Sequence, residues 1–274
     1  MPCRESLQYV AVYLPPRQFT FLLPPVVLNQ DFVCVEGTGG AVWRPSILFS
    51  EFVCSEEGRR KLPLRGKSVL EISSGLGLGA IVAWHLGASP VVATDIESEN
   101  GPMPLLAGNV AENCGPAAVT QADSRPSLRN HFGQGLSGAE GSMERASEPR
   151  EREPRKHAGT KTSSPPRVQS LRWGDGAQLA VALGEFDGYG PDVVLACDVV
   201  FDASALSALK GTLAEACALP TRTGARPCLC ISHQKRNRAR EDSFFAGLAR
   251  RLGQGEWRMV HQLDDLSVFV FAYL

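Results

Sequence analysis

The sequence predicts an α/β protein built on an open, doubly wound sheet that is mostly parallel. Three observations carry that expectation. A βαβ unit reads from Val69 to Asp95, and apolar runs alternate with helical patterns beyond it. Two strand-like runs, Trp257–Gln262 and Ser267–Tyr273, then close the chain as an antiparallel pair. Strands alternating with helices favour a parallel sheet covered on both faces.

The elements follow in order. Gln18 to Val42 alternates apolar and polar residues around Pro24-Pro25 and Gly37, Gly39 and Gly40. That predicts a β-hairpin or strand pair in an N-terminal extension over residues 1–42. Trp43 to Val53 has helical spacing after Pro45-Ser46, a helix start. Val69–Ile72 is a strand, Ser73 to Gly79 a glycine-rich bend leading into an apolar helix, and Val91–Asp95 a second strand. Met103 to Asn113 is helical.

From about Gly115 to Arg167, Ser, Gly, Pro, Arg and Glu replace the aliphatic residues. Such a segment cannot bury enough apolar surface to offset its ordering entropy. A disordered insertion over 115–167, within a domain spanning 43–274, is therefore expected. It reads as a solvated spacer or as a regulatory or partner-binding arm. Order resumes with a short strand and turn at Val168 to Gly174, then a buried strand Asp192–Ala196 ending in Cys197-Asp198. Leu206–Leu219 and Ser243–Leu252 are helices flanking a strand at Pro227–Ser232.

Composition sets bounds. The 274 residues suit one large α/β domain with additions, and 43% hydrophobic content suits a sizeable core. A formal net charge of -1 implies no bulk attraction to nucleic acid or membrane. The eight cysteines lie mostly in apolar runs without zinc-finger spacing, which fits buried free thiols in a reducing compartment. His85 and His233 have no second titratable partner at metal spacing and read as structural. No metal is expected. With no signal-peptide pattern and no bilayer-length apolar run, a soluble cytoplasmic or nuclear protein is expected.

The bend indicates the ligand. A dinucleotide fold wants G-x-G-x-x-G, with pyrophosphate on the helix N-terminus. Here the glycines Gly75, Gly77 and Gly79 run G-x-G-x-G, and the acidic Glu71 precedes them. A carboxylate there repels pyrophosphate and suits a ligand carrying an ammonium group. S-adenosylmethionine, with its ribose, sulfonium and amino-acid tail and no phosphate, fits better than NAD or ATP. Asp95, about 20 residues beyond the bend, stands where a carboxylate accepts ribose hydroxyls. Its other reading is a helix N-cap.

These motifs resemble the seven-β-strand protein-lysine methyltransferases of methyltransferase family 16. Gly39-Gly40-Ala41-Val42-Trp43 is similar to the family's element before its first helix. Val69 to Leu78 resembles its V-L-E-L-G-x-G-x-G-L, with Ser73 where a glycine is usual. Leu171-Arg172-Trp173-Gly174 matches L-x-W-G. Ala196-Cys197-Asp198-Val199-Val200-Phe201 matches the motif after the fourth strand of the domain, with Phe201 where tyrosine is commoner. Lys235-Arg236-Asn237-Arg238 with Glu241 to Phe245 resembles a late element, and Asn109 and Asn113 stand at family positions.

The resemblance implies a Rossmann-like seven-stranded class I methyltransferase sheet and S-adenosylmethionine as cofactor. It also implies transfer to a lysine ε-amine of a partner protein, a chaperone or a translation factor, by a monomer. Trp43, Glu71, Ser73, Gly75, Gly77, Asp95, Trp173 and Ala196 then fall on the cofactor side. Glu71 either holds the cofactor's amino group or caps the glycine turn. Ser73 either crowds the methionine tail or adds a hydroxyl contact. Trp43 closes over the cofactor or packs. Trp173 stands at the adenine or anchors the core. Asn109 and Asn113 read as helix-terminal hydrogen-bonders.

Asp198 and Phe201 are the catalytic candidates. Asp198 ends a strand where open sheets place their chemistry. A carboxylate there can orient the lysine nitrogen while Phe201 walls the channel with a π face. The other reading of Asp198 is a capping carboxylate. The run Lys235 to Arg240 reads as a solvated helix start or as a surface receiving an acidic protein. Two other functions stay open: methylation of a nucleobase or small molecule, which the missing Asn/Asp-Pro-Pro motif counts against, and a non-catalytic cofactor-binding module.

Overall fold

The computed structural model describes residues 8–12, 26–31, 38–115 and 164–273. The first two strands, β1 (Gln8–Val12) and β2 (Val26–Gln30), pair antiparallel as a separate ribbon. A strand pair was expected over Gln18 to Val42. The observed pair begins earlier, and residues 18–25 and 32–37 of that stretch lie outside the described residues. The core of the expected insertion, residues 116–163, lies outside them as well.

The main sheet is built from β3 (Val69–Ile72), β4 (Val91–Asp95), β5 (Arg167–Ser170), β6 (Val193–Cys197), β7 (Cys228–Gln234), β8 (Gly255–Leu263) and β9 (Leu266–Tyr273). Its order is β5-β4-β3-β6-β7-β9-β8, parallel up to β7, with β9 antiparallel to both β7 and β8. From β3 the chain winds outward through β4 to β5, then returns to β6 and winds the other way. The winding reverses between β3 and β6, and the carboxyl ends of the strands there open a crevice.

The helices are α1 (Arg44–Cys54), α2 (Glu56–Lys61), α3 (Leu78–His85), α4 (Met103–Cys114), α5 (Gly176–Gly184), α6 (Leu206–Ala216) and α7 (Arg238–Leu252). Buried strand residues split alternately between two cores, as a two-residue side-chain period requires. Val193, Leu195 and Cys197 join one with α1, α3 and α4. Val194 and Ala196 join the other with α5, α6 and α7. The strands are buried on both faces, so they read as continuous apolar runs.

Two short helices were not expected. In α2 only Gly58 is buried, so there is no apolar periodicity to find. Its signal is the cap: the Ser55 hydroxyl accepts the Gly58 N–H, with Glu56 and Glu57 in the first turn. For α5 the signal is Asp175, which accepts the Gln178 N–H at 3.0 Å. The last helix starts at Arg238, earlier than Ser243, because Asn237 caps it by accepting the Arg240 N–H. No helix among the described residues is long and apolar enough to cross a membrane.

Candidate active site

A cavity of about 650 Å³ lies over the reversal point. Among its lining residues are Trp43, Ser73, Gly75, Asp95, Trp173, Asp198 and Phe201. Seven positions singled out in the sequence therefore meet at one place.

The floor is the bend after β3. Asp95 accepts the Gly75 N–H through Oδ2 at 2.7 Å and the Ile96 N–H through Oδ1 at 2.7 Å. Burial raises its pKa against those two hydrogen bonds. Ser73 takes a left-handed backbone, φ 59°, where glycine would be unstrained. Its hydroxyl accepts the Trp173 indole N–H at 2.9 Å, so the serine fixes the tryptophan that walls the cavity. The two rings of Trp173 and Phe201 stand edge to face, 6.4 Å apart.

Three residues placed on the cofactor side by the sequence do not line the cavity. Glu71 is 1% exposed and accepts the Ala80 N–H at 2.9 Å. Of its two readings, the structure supports the cap: the carboxylate lies inside the first turn of α3, and a Cβ on Gly79 would collide with it. Burial pushes its pKa up to about 7 against the Ala80 hydrogen bond. Gly77 supplies the left-handed turn into α3, φ 85°, and faces Leu106, which a Cβ would meet at 2.6 Å. Ala196 is fully buried in β6 and points into the second core, while Cys197 reaches the cavity.

The roof comes from the segment before α1. Trp43 is 42% exposed at the rim, and its indole donates to the Thr38 carbonyl at 2.7 Å. Gly39 packs on Pro102, leaving no space for a side chain. The segment is tied to β2 by Val42 N–H donating to Gln30 Oε1 at 2.8 Å. Asn109 and Asn113 secure β2 in turn. Asn113 exchanges two hydrogen bonds with the Val27 backbone, and Asn109 two with that of Asn29. One turn apart on α4, these amides act as a strand edge for β2. They position the roof and do not line the cavity.

At the other end stands Asp198, left-handed at φ 57° and held by its N–H to the Ser232 carbonyl at 2.8 Å. Its carboxylate is 6% exposed and is gripped by Arg236 at both oxygens, Nη1 to Oδ1 at 2.6 Å and Nη2 to Oδ2 at 2.7 Å. This corrects the reading of Lys235 to Arg240 as a solvated helix start. Arg236 precedes the helix and turns into the cavity; only the run from Arg238 is helical. Glu241 accepts the backbone N–H groups of Arg236 and Asn237 at 2.6 and 2.7 Å, which sets the turn. Burial would raise the Glu241 pKa, but those hydrogen bonds and the nearby His233 leave it lowered. Arg240 donates to the Phe201 carbonyl at 3.1 Å and steadies the loop after β6.

Sequence reasoning missed Arg236, Thr38 and Pro102 as lining residues. Among the described residues, no group of three or more His, Cys, Asp or Glu could hold a metal ion. All six described cysteines are free.

Residues 25–124 match a family model described as lysine methyltransferase. The chain is 23% identical over 247 residues to the protein-lysine N-methyltransferase EFM3 of Chaetomium thermophilum, covering 89% of this chain and 57% of that protein. It is 36% identical over 96 residues to the protein N-lysine methyltransferase METTL21A of Danio rerio, covering 35% of this chain and 40% of that one. The chain thus spans about half the length of these curated relatives. Among solved structures, a ribosomal protein L11 methylase from Lactobacillus delbrueckii subsp. bulgaricus aligns with a TM-score of 0.43 at 12% identity, covering 84% of this chain and 76% of that one.

Proposed function

We propose that the protein is an S-adenosylmethionine-dependent N-methyltransferase acting on a lysine ε-amine of a partner protein. The observation that carries the cofactor is Glu71. At the α3 N-terminus, where a dinucleotide would seat its pyrophosphate, this buried carboxylate already takes the Ala80 N–H and places a negative charge. The Gly75 N–H is likewise spent on Asp95. The bend therefore suits a nucleoside without phosphate. Asp95 would accept the ribose hydroxyls with the oxygen lone pairs that its two backbone donors leave open. Trp173, held by Ser73, and the roof at Gly39 would flank the base. When bound, the cofactor supplies a methyl group already activated by the sulfonium.

This chain's part is then positional. Transfer to an amine needs a neutral nitrogen aligned with the methyl group, and holding that geometry lowers the barrier without proton transfer in the displacement itself. Asp198, at the carboxyl end of β6, would orient the nitrogen. Phe201 and Trp43, both partly exposed at the rim, would exclude water from the aliphatic stem. The amine proton leaves to solvent. A chaperone or translation factor as substrate, the monomeric state and a cytoplasmic and nuclear location belong to the same proposal. The similarity to lysine methyltransferases supports the substrate class.

The test is transfer of tritiated methyl from the cofactor into a lysate of cells lacking this protein. Label that is sensitive to protease, resistant to nuclease and recovered as methyl-lysine supports the proposal. Label confined to RNA or small molecules overturns the lysine assignment.

A further inference from the structure

The carboxylate that would receive the acceptor is not a free anion. Arg236 binds both oxygens of Asp198, and its other contacts show a fixture rather than a passing ion pair. The same guanidinium donates to the Gln234 amide oxygen at 3.2 Å and the Gln234 carbonyl at 3.4 Å. The Gln234 amide in turn donates to Asp265 at 2.7 Å, and Asp265 lies 3.5 Å from Arg44. The backbone of Arg236 is pinned by Glu241. Residues from α1, β7, α7, the loop after β6 and the turn between β8 and β9 thus hold one guanidinium against one carboxylate.

We infer that Arg236 sets the form in which the acceptor amine is received: by neutralising Asp198, it keeps that carboxylate from trapping the incoming nitrogen as an ammonium ion. The inference rests on the proposed reading of the site as an amine methyltransferase. An ammonium has no lone pair with which to attack carbon. A bare buried carboxylate beside it would stabilise that unreactive form, since an opposite charge within about 4–6 Å favours the charged state. A guanidinium locked on both oxygens removes most of that stabilisation. It still leaves the outer lone pairs of the carboxylate to orient a neutral N–H.

The surrounding charges do not restore a free anion. From the loop after β6, Asp202 is engaged by the Ser204 hydroxyl and amide and lies in the field of Arg240. From α7, Glu241 is spent on two backbone N–H groups, with His233 of β7 at 3.3 Å from its Oε1. Asp265 has Arg44 and Gln234. Lys235, in the turn before α7, is exposed and does not line the cavity. Asp95 stands across the cavity, on its own backbone donors. Arg236 is therefore the group whose removal uncovers a negative charge at the acceptor end.

The experiment compares the wild type with Arg236→Gln and Arg236→Lys, in methyl transfer to lysate protein across pH and in binding of n-butylamine. That amine mimics the end of a lysine, and its binding is followed by NMR on protein saturated with S-adenosylhomocysteine. Arg236→Gln should move the acid limb of the rate profile up by about one pH unit, leaving about one tenth of the rate at pH 7, with the rate recovering at high pH. Arg236→Lys, which keeps the charge, should stay within about threefold of the wild type at pH 7. A merely structural arginine would lower the profile without moving it, and an unmoved acid limb overturns the inference.

At pH 7, where butylamine is the ammonium, Arg236→Gln should bind it about tenfold more tightly; equal affinity overturns the inference. If Arg236→Gln fails to bind S-adenosylhomocysteine, the wild type carries the test alone. Its affinity for butylamine should rise with pH as the amine loses its proton near about pH 10, and a fall would overturn it. The butylamine titration needs no methyl acceptor. It therefore reports on Arg236 even if labelling shows that the substrate is not a lysine.

Discussion

Asp95 and Asp198 make the most instructive pair in the molecule. Both are buried carboxylates at the carboxyl ends of parallel strands, 8% and 7% exposed, on either side of β3. One is answered by two backbone N–H groups, the other by an arginine side chain. Backbone donors fix a carboxylate without cancelling its charge, which suits acceptance of neutral ribose hydroxyls. A guanidinium fixes the second and cancels its charge, which suits handling of a nitrogen that must arrive neutral. Position alone would give the two residues the same role. Their partners separate them.

Removing each carboxylate should break that comparison differently. The largest effect is expected from Asp198→Ala. It should lower methyl transfer by roughly two to three orders of magnitude, the cost of losing alignment of the attacking atom. Affinity for S-adenosylhomocysteine should stay within about threefold, because the proposal sets Asp198 against the acceptor and not the nucleoside. Calorimetry and labelled transfer on one preparation decide it: a parallel loss in both would move Asp198 into the nucleoside half.

Glu71 sharpens the contrast on the nucleoside side through stability. Its carboxyl is raised from the usual 4.5 to about 7 by burial. A raised carboxyl contributes stability that is complete below the unfolded pKa and lost as pH rises through the folded one. Between pH 4.5 and 7 the wild type should therefore lose about 3 kcal/mol relative to Glu71→Gln, which does not ionise and can still accept the Ala80 N–H. Denaturant melts of both proteins across that range test this. Curves that stay parallel would show that Glu71 does not titrate there.

Asp95→Ala comes next, and it is the mirror of the first variant. It should weaken S-adenosylhomocysteine binding by about tenfold or more, the worth of a charge-assisted hydrogen bond of roughly 1.5–3 kcal/mol. The acid limb of the transfer rate should stay where it is. Unchanged affinity in calorimetry would remove Asp95 from the cofactor site.

The same two carboxylates explain what the sequence could disclose. Asp95 and Gly75 lie 20 residues apart inside one βαβ unit, so strand, bend and acid read in a single window. Asp198 and Arg236 lie 38 residues apart, with a helix and a strand between them. They meet because β6 and β7 are parallel neighbours with Cys197 in register with Ser232, and register is not written in local pattern. Asp198 was visible as a strand-end acid, while Arg236 was hidden among four polar residues of the run Lys235 to Arg240 that look like a solvated surface. Glu71 shows the opposite limit. Its place before the glycines was plain, but whether it faced the ligand or the helix depended on Gly79 leaving room for it. The ribbon of β1 and β2 was shifted for a related reason: its partner is not another strand of the main sheet but two asparagine side chains on α4.

The smallest effect should come from Ser73, and two substitutions separate its two properties. Its left-handed backbone costs a non-glycine residue roughly 1–2 kcal/mol, while its hydroxyl satisfies the Trp173 indole at 2.9 Å. Ser73→Ala keeps the strain and discards the acceptor, leaving the Trp173 N–H without its partner. It should cost about 1 kcal/mol of stability and weaken S-adenosylhomocysteine binding by about threefold. Ser73→Gly also loses the hydroxyl but relieves the strain, so its stability should return to within about 0.5 kcal/mol of the wild type. Affinity should nevertheless remain lowered, because the tryptophan is no longer anchored. Stability and affinity should thus part company in the glycine variant alone. If Ser73→Gly restores both, the hydroxyl does nothing for the wall of the cavity, and the serine is merely a tolerated substitute for glycine.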